Sequence, residues 1–422
     1  MRPAPRQADL KAHPWLPIIG RCPPVCGGLA CPLFVNLIAL DPEQLHVHDA
    51  LPFDILDADG AMLMPKGATI GDERQLQQLR RSGPMAGAGE SAAWRQERAR
   101  AAAAPDAAPA AEAEPVEAEL APGAEARELP LRLAPLLHGA ATMPNWQAQI
   151  ERLAARVKRA VARDADVLLY LLVQRAARYH DNYSSEHAVL CATVCAMCAE
   201  QLRCSEAETQ ALLCAALTMN LSMSALQDEL AQRDRTPTLA QRKAIDQHAA
   251  DSARALRLRG IADELWLGIV TLHHRNTDPD IALDALPPAQ RLACVLHRID
   301  VFTAKISARR SRAGLPAPLA ARDACLGPNG LPDTVGAATV KALSIYPPGS
   351  YVRLANSEIA VVVRRGPRAD QPKVVSIVAP NGRPLAAPLL RDTAQPRHEI
   401  KAAVRTNEVR VPISHEQVLA VH

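Results

Sequence analysis

From about Trp146 to Lys341, apolar side chains recur at helical spacing, and this run constrains the fold more than any other feature of the chain. Ile150, Leu153, Ala154, Val157 and Val161 mark one stripe. Residues three and four apart share a helix face, so each such face has to be buried against another helix. Similar stripes predict further helices over 164–179, 185–202, 206–219, 238–257, 261–273 and 289–309. Consecutive amphipathic helices of this kind make an α-bundle domain. Aromatic residues are only 3% of the chain, so its core has to be built from Ala, Leu, Val and Ile.

The flanks follow other rules. Residues 37–84 read as a small module. Phe53-Asp54-Ile55-Leu56, the turn Asp57-Ala58-Asp59-Gly60 and Ala61-Met62-Leu63-Met64 make a hairpin pattern. Gly71-Asp72 then opens a helix with Leu76 and Leu79 on one face, and Gly83 stops it. Residues 85–129 are rich in Ala, Pro and Glu and poor in large apolar groups, so they are expected to be a disordered linker. Beyond the helical domain, placed at 130–341, residues 342–422 change to a β pattern. Tyr351-Val352-Arg353-Leu354, Ile359 to Val363 and Lys373 to Ala379 read as strands, with a turn at Ala355-Asn356-Ser357. Residues 1–36 show no periodicity and are expected to be a disordered extension. Whether they lie upstream of the native start stays open at this stage. The expected class is mainly α, a helical bundle with a small β-containing module on each side.

With 48 basic and 45 acidic residues the chain is nearly balanced, which excludes a polybasic nucleic-acid binder. Uninterrupted apolar runs fall short of the roughly 18 residues of a membrane span. A soluble, cytoplasmic protein is expected, with no nucleic-acid or membrane partner. Cys191, Cys195 and Cys198 fall at i, i+4 and i+7, one helical stripe beside Val194 and Met197, and read as small core residues. Cys22, Cys26 and Cys31 have irregular spacing and no fourth ligand nearby, which argues against a closed zinc site.

The helical region carries His187, His248, His273, His274 and Asp300, each on or at the end of a different predicted helix except the adjacent pair. Imidazoles and a carboxylate from several helices of a bundle are one way to build a metal site. Unrelated surface histidines are the other reading, and spacing alone leaves both open.

In order and context these residues resemble the HD-GYP family, helical metal-dependent phosphodiesterases that cleave the bacterial second messenger cyclic di-GMP. The resemblance runs from about Tyr179 to Val363. It takes in Asn182-Tyr183-Ser184-Ser185-Glu186-His187, Asp246-Gln247-His248, Ile269 to His274, Asp300-Val301-Phe302-Thr303-Ala304 and Ile345-Tyr346-Pro347-Pro348-Gly349. Leu63-Met64-Pro65-Lys66-Gly67 is similar to a module often placed before such domains.

The departures are at the chemistry. Where the resemblance implies a His-Asp pair and a lysine, this chain has Met219, Asn220 and Met223, and the Gly-Tyr-Pro signature is missing. A bridging carboxylate holds two cations about 3.5–4 Å apart. A neutral amide cannot balance their charge, and a thioether is a poor ligand for hard ions. The resemblance therefore implies a catalytically degenerate member, an interaction or regulatory module in cyclic di-GMP signalling rather than an enzyme. No catalytic residue is expected. His187, His248, His273, His274 and Asp300 are vestigial metal-ligand candidates, for no cofactor or for one Zn or Fe ion, and Arg275 beside the histidine pair disfavours a metal. Lys305 and Arg309, from a basic run with Arg298, Arg310 and Arg312, are candidates for binding the dinucleotide. A protein partner in second-messenger signalling is expected, and a homodimer is compatible with the resemblance. The alternative is a phosphohydrolase of residual or altered activity using a single metal on the remaining histidines.

Overall fold

The computed structural model describes residues 37–40, 45–47, 51, 53–57, 61–87, 94, 120–139, 143–178, 182–275, 281–327 and 330–421. The chain divides into two compact units, 1–117 and 118–422. Cys22, Cys26 and Cys31 lie outside the described residues.

In the first unit the strands β1 (Leu37–Ala39), β2 (Ile55–Leu56), β3 (Met62–Met64) and β4 (Met85–Gly87) form an antiparallel sheet of order β1-β4-β2-β3. The expected hairpin is β2 and β3, with Ile55 opposite Met64. Helix α1 (Glu73–Arg81) starts at Asp72, whose carboxylate accepts from the Gln75 N–H at 2.8 Å. Such a cap satisfies one of the amides that a helix start leaves open. Leu76 and Leu79 are buried with Phe53, Ile55 and Ile70.

The second unit is a helical bundle carrying a five-stranded antiparallel sheet. Its helices are α2 (Pro122–His138), α3 (Trp146–Ala176), α4 (Tyr183–Gln201), α5 (Glu206–Thr218), α6 (Ser224–Gln232), α7 (Leu239–Leu258), α8 (Glu264–Leu272), α9 (Pro288–Ile306), α10 (Ala317–Ala324) and α11 (Thr334–Leu343). The linker expected over 85–129 is corrected at both ends. Met85–Gly87 pairs with β1, and α2 begins at Pro122. The Ala/Pro/Glu composition hid α2 because its anchors are few: Leu129 is buried, and buried Glu125 accepts from Arg156 Nε at 2.7 Å.

Helix α3 breaks at Asp164 (φ −159°, ψ 86°), where the sequence also divides. The Asp164 carboxylate accepts from the Val167 N–H, restarting the helix, and takes a two-pronged bond from Arg364 at 3.1 and 2.7 Å. Helix α4 is the hub, buried from Tyr183 to Ala199 and packed on α2, α3, α5, α6, α9 and α11. A helix that is apolar all round belongs inside, and α4 has that composition. The stretch Glu206–Gln232 is long and apolar enough to cross a membrane by length and composition, which the count of unbroken apolar runs overlooked. Of its most apolar 18 residues 78% are buried in the bundle, and core packing accounts for that composition.

Strands β5 (Tyr351–Leu354), β6 (Ile359–Arg364), β7 (Lys373–Val378), β8 (Pro384–Asp392) and β9 (Ile400–Val404) form the sheet, in the order β8-β7-β6-β5-β9. Residues alternate between its faces. Tyr351, Val361, Val363 and Val375 pack with Tyr170 of α3, while Val352, Val362 and Val374 form the opposite cluster. Gly349 (φ +89°) sits at the join, where a Cβ would lie 2.8 Å from the Tyr170 carbonyl oxygen and from Val173 Cβ. Only glycine tolerates both that backbone conformation and that approach.

Candidate metal centre

Four helices deliver the side chains. His187 lies one turn into α4, whose start is turned by Asn182 in the left-handed region (φ +54°). His248 is in the middle of α7, which Thr238 and Gln241 cap reciprocally. Helix α8 starts at Asp263, which accepts from the N–H groups of Leu265 and Trp266, and runs out at His273-His274. Asp300 and His297 sit three apart on one face of α9.

The packing gathers all five sequence candidates into two adjoining groups. His248, His273 and His274 form one, with their possible ligand atoms within 4.8 Å of one another. His187, Cys191 and Asp300 form the other under the same limit. Asp300 reaches both: Oδ1 is 2.8 Å from His187 Nε2, and Oδ2 is 3.7 Å from His274 Nε2.

Hydrogen bonding decides what the imidazoles offer. His248 Nδ1 meets the Ile245 carbonyl, and His273 Nδ1 meets the Val270 carbonyl at 2.7 Å. Carbonyl oxygens only accept, so each Nδ1 carries its hydrogen and each neutral ring has a bare Nε2. Those two Nε2 atoms face each other at 3.2 Å. Two lone pairs at that distance repel unless a proton or a metal cation lies between them. Burial, then the neighbouring His274 ring, pulls His273 down to about 3, so that ring disfavours a proton. Burial lowers His274 and His297 as well. The donor set therefore fits a divalent cation such as Zn or Fe, with backbone carbonyls orienting the ligands from behind. Such an ion, when bound, supplies Lewis-acid charge and an activated water.

The other group has the opposite electrostatics. Burial pulls His187 down, but Cys191, Tyr183 and the hydrogen bond to Asp300 outweigh it, and its imidazole sits well above the ordinary value. Burial would raise Asp300, but the His187 hydrogen bond and charge hold it well below the usual carboxylate range. Without a metal the two form an imidazolium–carboxylate pair.

Met219 is fully buried in the apolar core, and Asn220 is nearly so. The turn that follows is pinned beside His248: the Ser222 N–H donates to Ser252 Oγ, and Ser222 Oγ donates to the His248 carbonyl. Met223 is half-buried, and Arg275 is exposed. Both dinucleotide candidates have partners within the bundle. Lys305 pairs with Asp323 at 2.8 Å, and Arg309 donates to the Tyr183 hydroxyl at 2.8 Å. Arg298 of the same run grips Asp333 with two bonds. Arg309 also lies over the Tyr183 ring, which stacks on His187, so this arginine walls the site.

Two neighbours escaped the sequence reading. Cys191 is buried as expected, but its Sγ is also 3.6 Å from His187 Nε2. His297 places its ring 5.3 Å from that of His274. The spacing His187/Cys191 (i, i+4) and His297/Asp300 (i, i+3) was the available signal.

No family model and no curated protein matches the chain. Among solved structures, an HDG"Y"P protein from Bdellovibrio bacteriovorus aligns with 73% of this chain and 99% of its own, at 13% identity and a TM-score of 0.39. That likeness is too slight to bear on function.

Proposed function

We propose that the chain is a catalytically degenerate HD-GYP-like protein, a cytoplasmic interaction or regulatory module in bacterial cyclic di-GMP signalling that keeps a metal-competent histidine cluster. The observation that carries this reading is at Met219 and Asn220. A fully buried thioether and an amide stand where the resemblance calls for a histidine and a bridging carboxylate, while the remaining ligand residues stay together. A cluster retained without its bridge suits a domain whose metal holds helices in place. It does not suit a two-metal clamp on a phosphate.

The test is hydrolysis of cyclic di-GMP by the purified full chain with Mn or Fe supplied. No turnover is expected. Robust turnover that chelation abolishes would overturn the reading. The double change Met219→His with Asn220→Asp should raise metal occupancy without restoring turnover, since Met223 still stands at the lysine position.

A second reading, a single-metal phosphohydrolase, is favoured by one observation: the bare, converging Nε2 atoms of His248 and His273. The same assay separates the two.

A further inference from the structure

The cysteine stripe of α4 is uniform in sequence but not in surroundings. Cys198 interacts with the Thr339 side chain, and Cys195 lies in the apolar core. Only Cys191 of the three has its Sγ against an imidazole nitrogen, 3.6 Å from His187 Nε2, and the same nitrogen is 2.8 Å from Asp300 Oδ1. One turn of α4 thus presents nitrogen and sulfur donors on the same face, and α9 adds an oxygen.

We propose that Cys191 is a metal ligand and that His187, Cys191 and Asp300 form a sulfur-containing transition-metal site. Bonds of about 2.0–2.3 Å put tetrahedral donors roughly 3.3–3.7 Å apart. The sulfur–nitrogen distance already lies in that range. The nitrogen–oxygen contact has to open by about half an ångström, within the reach of a carboxylate rotation. Charge supports the same assignment. His187 and Cys191 are buried and the Asp300 side chain is 14% exposed, so a net charge there is costly. Neutral imidazole, thiolate and carboxylate together carry two negative charges, which cancel a divalent cation. The Cys191 thiol and the His187 imidazolium each give up one proton to solvent when the metal binds. Sulfur selects Zn and its borderline-soft neighbours over Mg, Ca or Mn, and three protein ligands leave one tetrahedral position open. The inference rests on the preceding reading only in requiring that the cluster still binds metal; turnover does not enter it.

The experiment is a cobalt(II) titration of the metal-free full chain carrying Cys22→Ser, Cys26→Ser and Cys31→Ser, so that N-terminal thiols contribute nothing. A sulfur-to-cobalt charge-transfer band is expected. It should disappear in Cys191→Ser and persist in Cys195→Ser, with one fewer zinc ion bound per chain in the former. X-ray absorption of the zinc-loaded parent should show a sulfur scatterer at about 2.3 Å, a measurement that needs no Cys191 variant to fold. No charge-transfer band in the parent, or a band that survives Cys191→Ser, would overturn the site. Because cyclic di-GMP hydrolysis is read separately, failure of this site and failure of the proposed function are distinct outcomes.

Discussion

Two of the buried charge nodes in the larger unit are built on different principles. At the C-terminal sheet, Glu358 accepts from Arg391 through both carboxylate oxygens at 2.9 Å and from Ser376 Oγ at 2.6 Å. Its partners are in place, and the bonds tie the residue before β6 to β7 and β8. At the histidine cluster, bare Nε2 atoms face each other and a thiol abuts a charged pair. The second holds a local conflict that a cation would relieve.

The sharpest way to break this comparison is to remove charge from the sheet node. Glu358→Gln should lower unfolding free energy by about 2–3 kcal/mol, because it leaves Arg391 half-satisfied in a largely buried place. Denaturant titration measures it. The same variant tests a pH dependence. The Arg391 hydrogen bonds, against burial and helped by Ser376, lower Glu358 from 4.5 to about 2. A depressed carboxylate contributes stability that is present above about pH 4.5 and lost as pH falls toward 2. The acid slope of the melting temperature in that window should flatten in Glu358→Gln.

The histidine cluster should respond in the opposite manner. His273→Asn keeps a donor for the Val270 carbonyl and removes one of the facing lone pairs. Without metal its stability should stay within about 1 kcal/mol of the parent, since a repulsion is lost along with packing. Zinc at a hundredfold its dissociation constant should stabilise the parent by about 2.7 kcal/mol and the variant hardly at all. Equal stabilisation of both would erase the contrast between the nodes.

Smaller effects sharpen the boundary between site and scaffold. In metal-free native protein Cys195 and Cys198 should alkylate only as fast as the bundle opens, since burial pushes the Cys198 thiol up to about 12 and raises Cys195 as well. Mass spectrometry of timed alkylation checks this, and rapid labelling of either would place that face of α4 wrongly. Smallest of all, Arg364→Ala should cost less than about 1 kcal/mol. Its partner Asp164 still caps the second half of α3 through the Val167 amide, and the Arg364 side chain is one-third exposed.

Much of this architecture was legible along the chain because helix and strand periodicity is local. The stripe at Ile150, Leu153 and Val157 and the alternation at Tyr351 to Leu354 each state their own element and buried face. Where the signal was compositional it misled: Ala, Pro and Glu around α2 resemble a linker until Glu125 finds Arg156, 31 residues on. The break in α3 was visible at Asp164, but its partner Arg364, 200 residues away, was not. The site was half legible. Five candidate ligands could be named from type and order, while Cys191 was assigned to packing, because a cysteine on a buried stripe looks the same whether it meets a leucine or an imidazole.

By itself the sequence determined most helices of the bundle between Ile150 and Arg309, the strands β2, β3 and β5 to β7, the faces they turn inward, and that Met219 and Asn220 offer no hard-metal ligand pair. Those properties depend on backbone geometry and residue chemistry within a few positions of each other. Only the tertiary structure decided that His187 meets Asp300 across 113 residues, that His248 and His273 present bare nitrogens to one another, and that one cysteine of three lies among donors. A helical stripe says that a face is buried and says nothing of what buries it, and that choice belongs to the packing of α4 against α9 and of α7 against α8.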